Sequence, residues 1–174
     1  MTLDEQRVTV RRSPGPSYQE IIRNDSHPVP VHLREERPGD FGIADIPIHR
    51  YTSRAYYEAE KRHVWRRTWQ STCREEHIPE VGDVHVYDIC DMSFLIVRSA
   101  PEVVKAYWNF CRHRGRQIHN ESCRAEKLRC AFHGFTWNLD GTLAFVPSSW
   151  DFPQIDRSDF GLVEVQVGTW GGWI

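Results

Sequence analysis

Between Cys111 and His133 the chain reads "CRHRGRQIHNESCRAEKLRCAFH": Cys-x-His opens the stretch, Cys-x-x-His closes it, and 16 residues separate His113 from Cys130. This frame constrains the fold more than any other feature, because two separate loops must each present a thiol and an imidazole side by side. Two thiolates and two imidazoles suit a structural zinc site. A zinc finger, however, pairs Cys with Cys on one knuckle and His with His on a helix, whereas here each loop supplies one of each. The mixed arrangement suits a 2Fe-2S cluster with two Cys on one iron and two His on the other. Gly115, two residues after His113, and Gly134, directly after His133, would let the backbone turn closely around such a group.

Composition bounds the rest. With 174 residues, 40% hydrophobic and 26% charged, the chain is long enough for one domain with a real core and cramped for two. A net charge of -2 with Lys and Arg spread along the chain argues against nucleic-acid binding. No apolar run approaches the roughly 20 residues of a membrane span, and "MTLDEQRVTVRR" has no apolar signal core, so a cytoplasmic protein is expected. Five cysteines is an odd number, and closely spaced Cys and His in a cytosolic chain read as metal ligands before disulfides. Cys73, Cys90 and Cys123 are then ordinary unreactive thiols.

Periodicity divides the chain. Residues 1–50, with "SPGPS", "HPVPVH" and "ERPGDFG", read as an extended N-terminal arm with a short helix at Tyr18–Arg23. After Ser53 as N-cap, Tyr57, Val64, Trp65 and Trp69 predict a helix that packs by an aromatic stripe onto the segment C-terminal to it. From Ile78 onward short strands are expected: "DVHVYDI" and "SFLIVR" around a turn at "CDM", then "EVVKAYWNF", which delivers the chain to Cys111. Asp140-Gly141 predicts a two-residue hairpin turn, and "LVEVQVGTW" alternates as a last strand before the apolar "GTWGGWI". The sum is a mainly β, antiparallel β-sandwich domain whose special loops, 111–116 and 130–137, carry the Cys and His residues.

"CRHRGRQ" followed by "CAFHGFTWNLDGTL" resembles the Rieske motif, and with "VWRRTWQ", "EHIPEVGD" and "GTWGGWI" the chain from Tyr51 onward resembles the N-terminal Rieske domain of the large (alpha) subunit of ring-hydroxylating non-haem iron oxygenases. The resemblance implies a helix plus Rieske domain over 51–174 and a catalytic domain beyond residue 174. It implies that Cys111 and Cys130 bind one iron and His113 and His133 the other, with no catalytic residue within the chain. It further implies an EC 1.14-type oxidoreductase, mono- or dioxygenase, of aromatic hydrocarbon catabolism. In such an enzyme a ferredoxin or flavin reductase supplies electrons, a mononuclear Fe(II) in the catalytic domain activates dioxygen, and the subunits form a homotrimer or an alpha3beta3 assembly. Respiratory Rieske proteins carry an extra Cys on each loop, forming a disulfide. Here Arg114, Gly115 and Arg116 stand on one loop and Ala131 and Phe132 on the other, which favours the oxygenase type.

Other residues are weighed against this frame. Arg112, Arg114 and Arg116 suit docking of an acidic electron donor or a merely solvated face. Trp137 is expected to pack beneath the second loop. His27 and His32 near Asp25 imitate a two-histidine, one-carboxylate iron site, but Pro28 and Pro30 hold that stretch extended, so it is set aside. The rival function is a free-standing Rieske ferredoxin, a carrier with no substrate.

Overall fold

The computed structural model describes residues 15–34 and 45–174; the readings placed on 1–14 and on "ERPGDFG" lie outside the described residues. By its contacts the chain divides into two units, 1–46 and 47–174. In the first, helix α1 (Tyr18–Arg23) stands where the sequence placed it. Ser17 accepts from the Glu20 amide while the Glu20 carboxylate accepts from the Ser17 amide, a reciprocal cap that satisfies two of the free donors at a helix start. Pro28 and Pro30 hold their own residues out of helix, but a single turn, α2 (Val31–Arg34), starts directly after them, so the extended reading ends at Pro30. His27 is exposed and its amide donates to Asp25; the His32 side chain lies outside the described residues.

The second unit opens with α3 (His49–Thr52) and α4 (Arg54–Glu60), the latter capped by Ser53 as read from the sequence. The aromatic stripe is not realised. After Glu60 the helix widens into a π-helical turn, Lys61–Trp65, which shifts the angular spacing on which an i, i+7 stripe depends. Trp69 lies beyond the helix and is 74% exposed, and Val64 is exposed too. The helix is held instead by charge: Lys61 binds both Glu58 and Asp91 at 3.0 Å, and Arg66 also reaches Asp91.

Two antiparallel sheets come next. The larger consists of β1 (Asp83–Ile89), β2 (Met92–Ala100), β3 (Val103–Trp108), the short β4 (Cys123–Arg124) and β8 (Glu164–Val165), in the order β4-β1-β2-β3-β8; the smaller is β5 (Leu128–Arg129), β6 (Thr136–Trp137) and β7 (Leu143–Phe145), in chain order. The continuous apolar run of β2 is explained by its position. As a central strand it buries Leu95 and Val97 in the main core and Ile96 in a second core with Cys73, Ile78, Ala106 and Ile174, so both faces are covered. The main core joins the two sheets through Val84, Tyr107, Leu128, Phe135, Trp137 and Leu143, and takes in Cys111 and Cys130.

Three sequence expectations are corrected locally. The hairpin between β6 and β7 has a three-residue loop: Gly141 donates to Asn138 and Asn138 to Thr142, which leaves Leu139 and Asp140 as the turn and Gly141 at φ 86, the left-handed place that comes after a type I turn. The strand read through Val163–Val167 pairs over Glu164 and Val165 alone. "GTWGGWI" is a tight reversal: Trp170 and Trp173 exchange backbone hydrogen bonds of 2.9 Å around Gly171 and Gly172, both at positive φ, and only Ile174 is buried, its amide donating to Cys73.

Candidate metal centre

Each sheet contributes one loop. β3 leaves the larger sheet at Trp108 and reaches Cys111 three residues on; β5 ends at Arg129 and β6 begins at Thr136, so the second loop is the connection within the smaller sheet. The two loops share one backbone frame. The amide of Cys111 donates to Arg116 (2.7 Å) and that of Gly115 to Cys111 (2.7 Å); the amide of Cys130 donates to Phe135 (2.9 Å) and that of Gly134 to Cys130 (3.0 Å). Gly115 at φ 73 and Gly134 at φ 80 make the turn, in the region glycine enters without a Cβ clash. Within this common frame the histidine stands two residues after the cysteine on one loop and three after it on the other.

The result is a site with its donors in two pairs. Cys111 and Cys130 are buried, at 3% and 2% exposure, in one hydrophobic core. Burial, with the neighbouring thiol adding to it, pushes the Cys111 thiol up. The His113 and His133 rings lie 4.9 Å apart, centroid to centroid. Burial, and then His133 beside it, pushes His113 down, toward the neutral imidazole that binds metals. No disulfide joins any of the five cysteines. Among the described residues no three His, Cys, Asp or Glu side chains gather around one ion. A two-iron cluster asks for two protein ligands at each iron, two thiolates and two imidazoles, and that donor set is what the loops bring together.

The surroundings of the two histidines differ. His113 is half-buried, stacked on Phe135 (4.7 Å, 15°) and met edge-on by Phe152 (5.6 Å). His133 is exposed, with Phe132, itself 54% exposed, packed against it at 3.9 Å. Trp137 lies beneath the second loop, fully buried, with its indole N-H donating to the Phe160 carbonyl at 2.9 Å. All three arginines read as a docking face are exposed, and the Arg112 guanidinium is in addition bonded to the carbonyls of Asp159 and Gly161.

Sequence reasoning missed Asn109. Its buried amide donates to Ser93 Oγ (2.9 Å) and to the His119 carbonyl (2.7 Å), and its Oδ1 accepts from the amides of Ile118 (3.0 Å) and His119 (3.2 Å), which uses the full capacity of the group. It ties the entry of the first loop to its exit. The one signal in the sequence was a lone polar residue ending the apolar run "AYW". Phe152 and Phe160, which wall the site, left no signal, because "SSWDFPQIDRSDFG" has no periodicity.

A β-sandwich that presents two thiols and two imidazoles on two glycine-turned loops offers the donor set of a histidine-ligated iron-sulfur centre. Comparison with known proteins makes this specific. The family model described as "Rieske [2Fe-2S] domain" matches residues 68–156, half of the chain, and the chain belongs to that family, whose cofactor is a Rieske 2Fe-2S cluster. It is 30% identical over 126 residues to the biphenyl 2,3-dioxygenase subunit alpha of Rhodococcus jostii (strain RHA1), covering 71% of this chain and 27% of that protein. It is 27% identical over 130 residues to the carnitine monooxygenase oxygenase subunit of Escherichia coli (strain K12), covering 74% and 35%. Among solved structures, the quaternary ammonium Rieske monooxygenase CntA superimposes with a TM-score of 0.68 at 25% identity over 74% of this chain and 36% of that one. The naphthalene 1,2-dioxygenase from Rhodococcus sp. does so with 0.63 at 29% identity over 68% and 28%. The chain thus spans between a quarter and about a third of the length of these relatives. None of the helices among the described residues is long and apolar enough to cross a membrane.

Proposed function

We propose that Cys111 and Cys130 hold one iron and His113 and His133 the other, and that residues 51–174 form the electron-transfer domain of an oxygenase alpha subunit of the EC 1.14 type. The observation that carries this reading is the common backbone frame of the two loops, which sets thiol beside thiol and imidazole beside imidazole. The bound cluster supplies one-electron transfer, at a potential raised above that of four-cysteine clusters because two anionic ligands are replaced by neutral ones. The chain's own residues do the rest. The main core keeps water from the two thiols, Phe135 and Phe152 hold the His113 ring, and exposed His133 faces an incoming partner.

In this reading a ferredoxin or flavin reductase delivers electrons at the His133 surface, where exposed Arg114 and Arg116 suit an acidic donor. The electrons go on to a mononuclear non-haem iron outside these 174 residues, in a cytoplasmic homotrimer or alpha3beta3 assembly. Its substrate is an aromatic or related apolar molecule, as the biphenyl and naphthalene dioxygenases support; the carnitine relative makes a quaternary ammonium substrate the competing case.

The test is low-temperature EPR with visible spectroscopy on anaerobically purified, dithionite-reduced protein. A rhombic signal of low average g is expected, displaced toward the four-cysteine type by His113→Cys and abolished by Cys130→Ser. A colourless, EPR-silent protein holding one zinc would overturn the reading.

A further inference from the structure

We propose that Arg112 is a positioning residue that latches the segment 152–161 over the His113 side of the centre, an inference that rests on the ligand reading above and adds a third wall to it. Arg112 Nη1 donates to the carbonyl of Asp159 and, at 2.9 Å, to that of Gly161, while its guanidinium lies 4.8 Å over the ring of Phe160, the residue between them. The carbonyl of Phe160 is taken by the indole of Trp137 at 2.9 Å. Three consecutive residues are therefore gripped by two side chains that flank the cluster loops. Inside the grip, Phe160 packs on Phe135 at 6.2 Å, Phe135 stacks on His113, and Phe152 closes on both rings, 5.5 Å from Phe135 and 5.6 Å from His113.

The segment has little structure of its own to hold it there. Between Phe152 and Gly161 its backbone makes two isolated backbone-backbone turn bonds, Ile155 to Phe152 (3.1 Å) and Asp159 to Asp156 (3.2 Å), with the Ser158 amide on the Asp156 carboxylate (2.9 Å), and belongs to neither sheet. Its place is set by anchors: Arg157 on the Ala144 carbonyl at one flank, Leu162 donating to Gly141 at the end, and Arg112 directly above the aromatic wall. Of these anchors only Arg112 sits between two of the ligands, so the segment's position and that of the His113 ring are coupled through one residue. The planar guanidinium donates to two carbonyls from Nη1 while its flat face covers a ring, a fixed geometry that the flexible, strongly hydrated ammonium of a lysine holds less well.

The consequence is electrostatic. Reduction adds one negative charge to the centre, and water stabilises charge, so a segment that lifts away from His113 raises the midpoint potential. Arg112→Lys keeps the positive charge beside the centre and removes the fork and flat face; Phe160→Leu keeps all charges and removes the ring. The protein is tested as isolated with its cluster, by trypsin cleavage after Arg157 in the segment and by an EPR-monitored redox titration. Arg112→Lys is expected to be cleaved at Arg157 roughly tenfold faster, the worth of about one charge-assisted hydrogen bond, Phe160→Leu severalfold faster for the lost ring contact, and both to titrate at a higher potential than the wild type. Variants that hold the cluster with wild-type cleavage and potential overturn the latch and leave the ligand reading intact. Faster cleavage with an unchanged potential overturns the positioning role and leaves a plain surface anchor. A wild-type protein without the histidine-ligated signal overturns both.

Discussion

At the scale of single residues, the four ligand candidates were legible because metal chemistry restricts residue type and spacing together. Asn109 was not, because its role depends on where Ser93, Ile118 and His119 arrive in space. Each buried group left without its partner costs about 1–3 kcal/mol, so Asn109→Ala, which strips partners from Ser93 and from the backbone at Ile118 and His119, is expected to lose on the order of 3 kcal/mol in urea unfolding. Asn109→Asp retains the two accepted bonds but sets a buried carboxylate oxygen against the His119 carbonyl, and should lose at least as much. Two further histidines give the fold a pH dependence. Burial pushes His119 and His85 below the ordinary 6.5, and His119 Nε2 is buried with no partner among the described residues. The unfolded chain therefore binds protons first as pH falls. The stability these groups contribute is complete above about pH 6.5 and is lost as pH drops from there toward their depressed folded values. Thermal unfolding between pH 7.5 and 5.5 should show that decline, and His119→Gln should flatten it.

At the scale of elements, strands β1 to β3 were readable from alternation and from one continuous apolar run, because local pattern and burial agree there. The elements that departed from expectation are those where a tertiary contact wins. The helix after Ser53 widens into a π-helical turn where Lys61 is drawn to Asp91, and the β6–β7 turn shifts by one residue. The reason for that shift is visible at Gly141: a Cβ there would come within 2.6 Å of the Tyr107 ring, while Tyr107 donates to Leu139 in the same turn. Gly141→Ala must therefore both strain a positive φ and displace a buried ring. A loss of about 2 kcal/mol or more in equilibrium unfolding is expected, and it should be partly relieved in a Tyr107→Leu background.

At the scale of the whole molecule, the two-sheet architecture arises from patterning, but the covering segment 152–161 does not, since it is held by side-chain anchors and not by period. The sheets meet through one core and through the two loops, each rooted in a different sheet, so any metal bound by all four side chains fastens one sheet to the other. Binding energy of that kind becomes folding energy. Removal of iron by a chelator under reducing conditions is expected to lower the melting temperature and to release amide protection in β5 to β7 first, while β2, buried on both faces, keeps its protection; hydrogen exchange with mass spectrometry reads both.

The one-residue offset of the histidines within identical loop frames has a meaning for tunnelling. One imidazole is turned in beneath Phe135 and Phe152 and the other is left at the surface beside Phe132. With the ligands held as proposed, His133 and Phe132 form the exposed side of the centre, and the His113 ring lies against two aromatic rings. A partner that approaches at His133 meets a ligand ring directly, whereas one that approaches at His113 has Phe135 and Phe152 in its way.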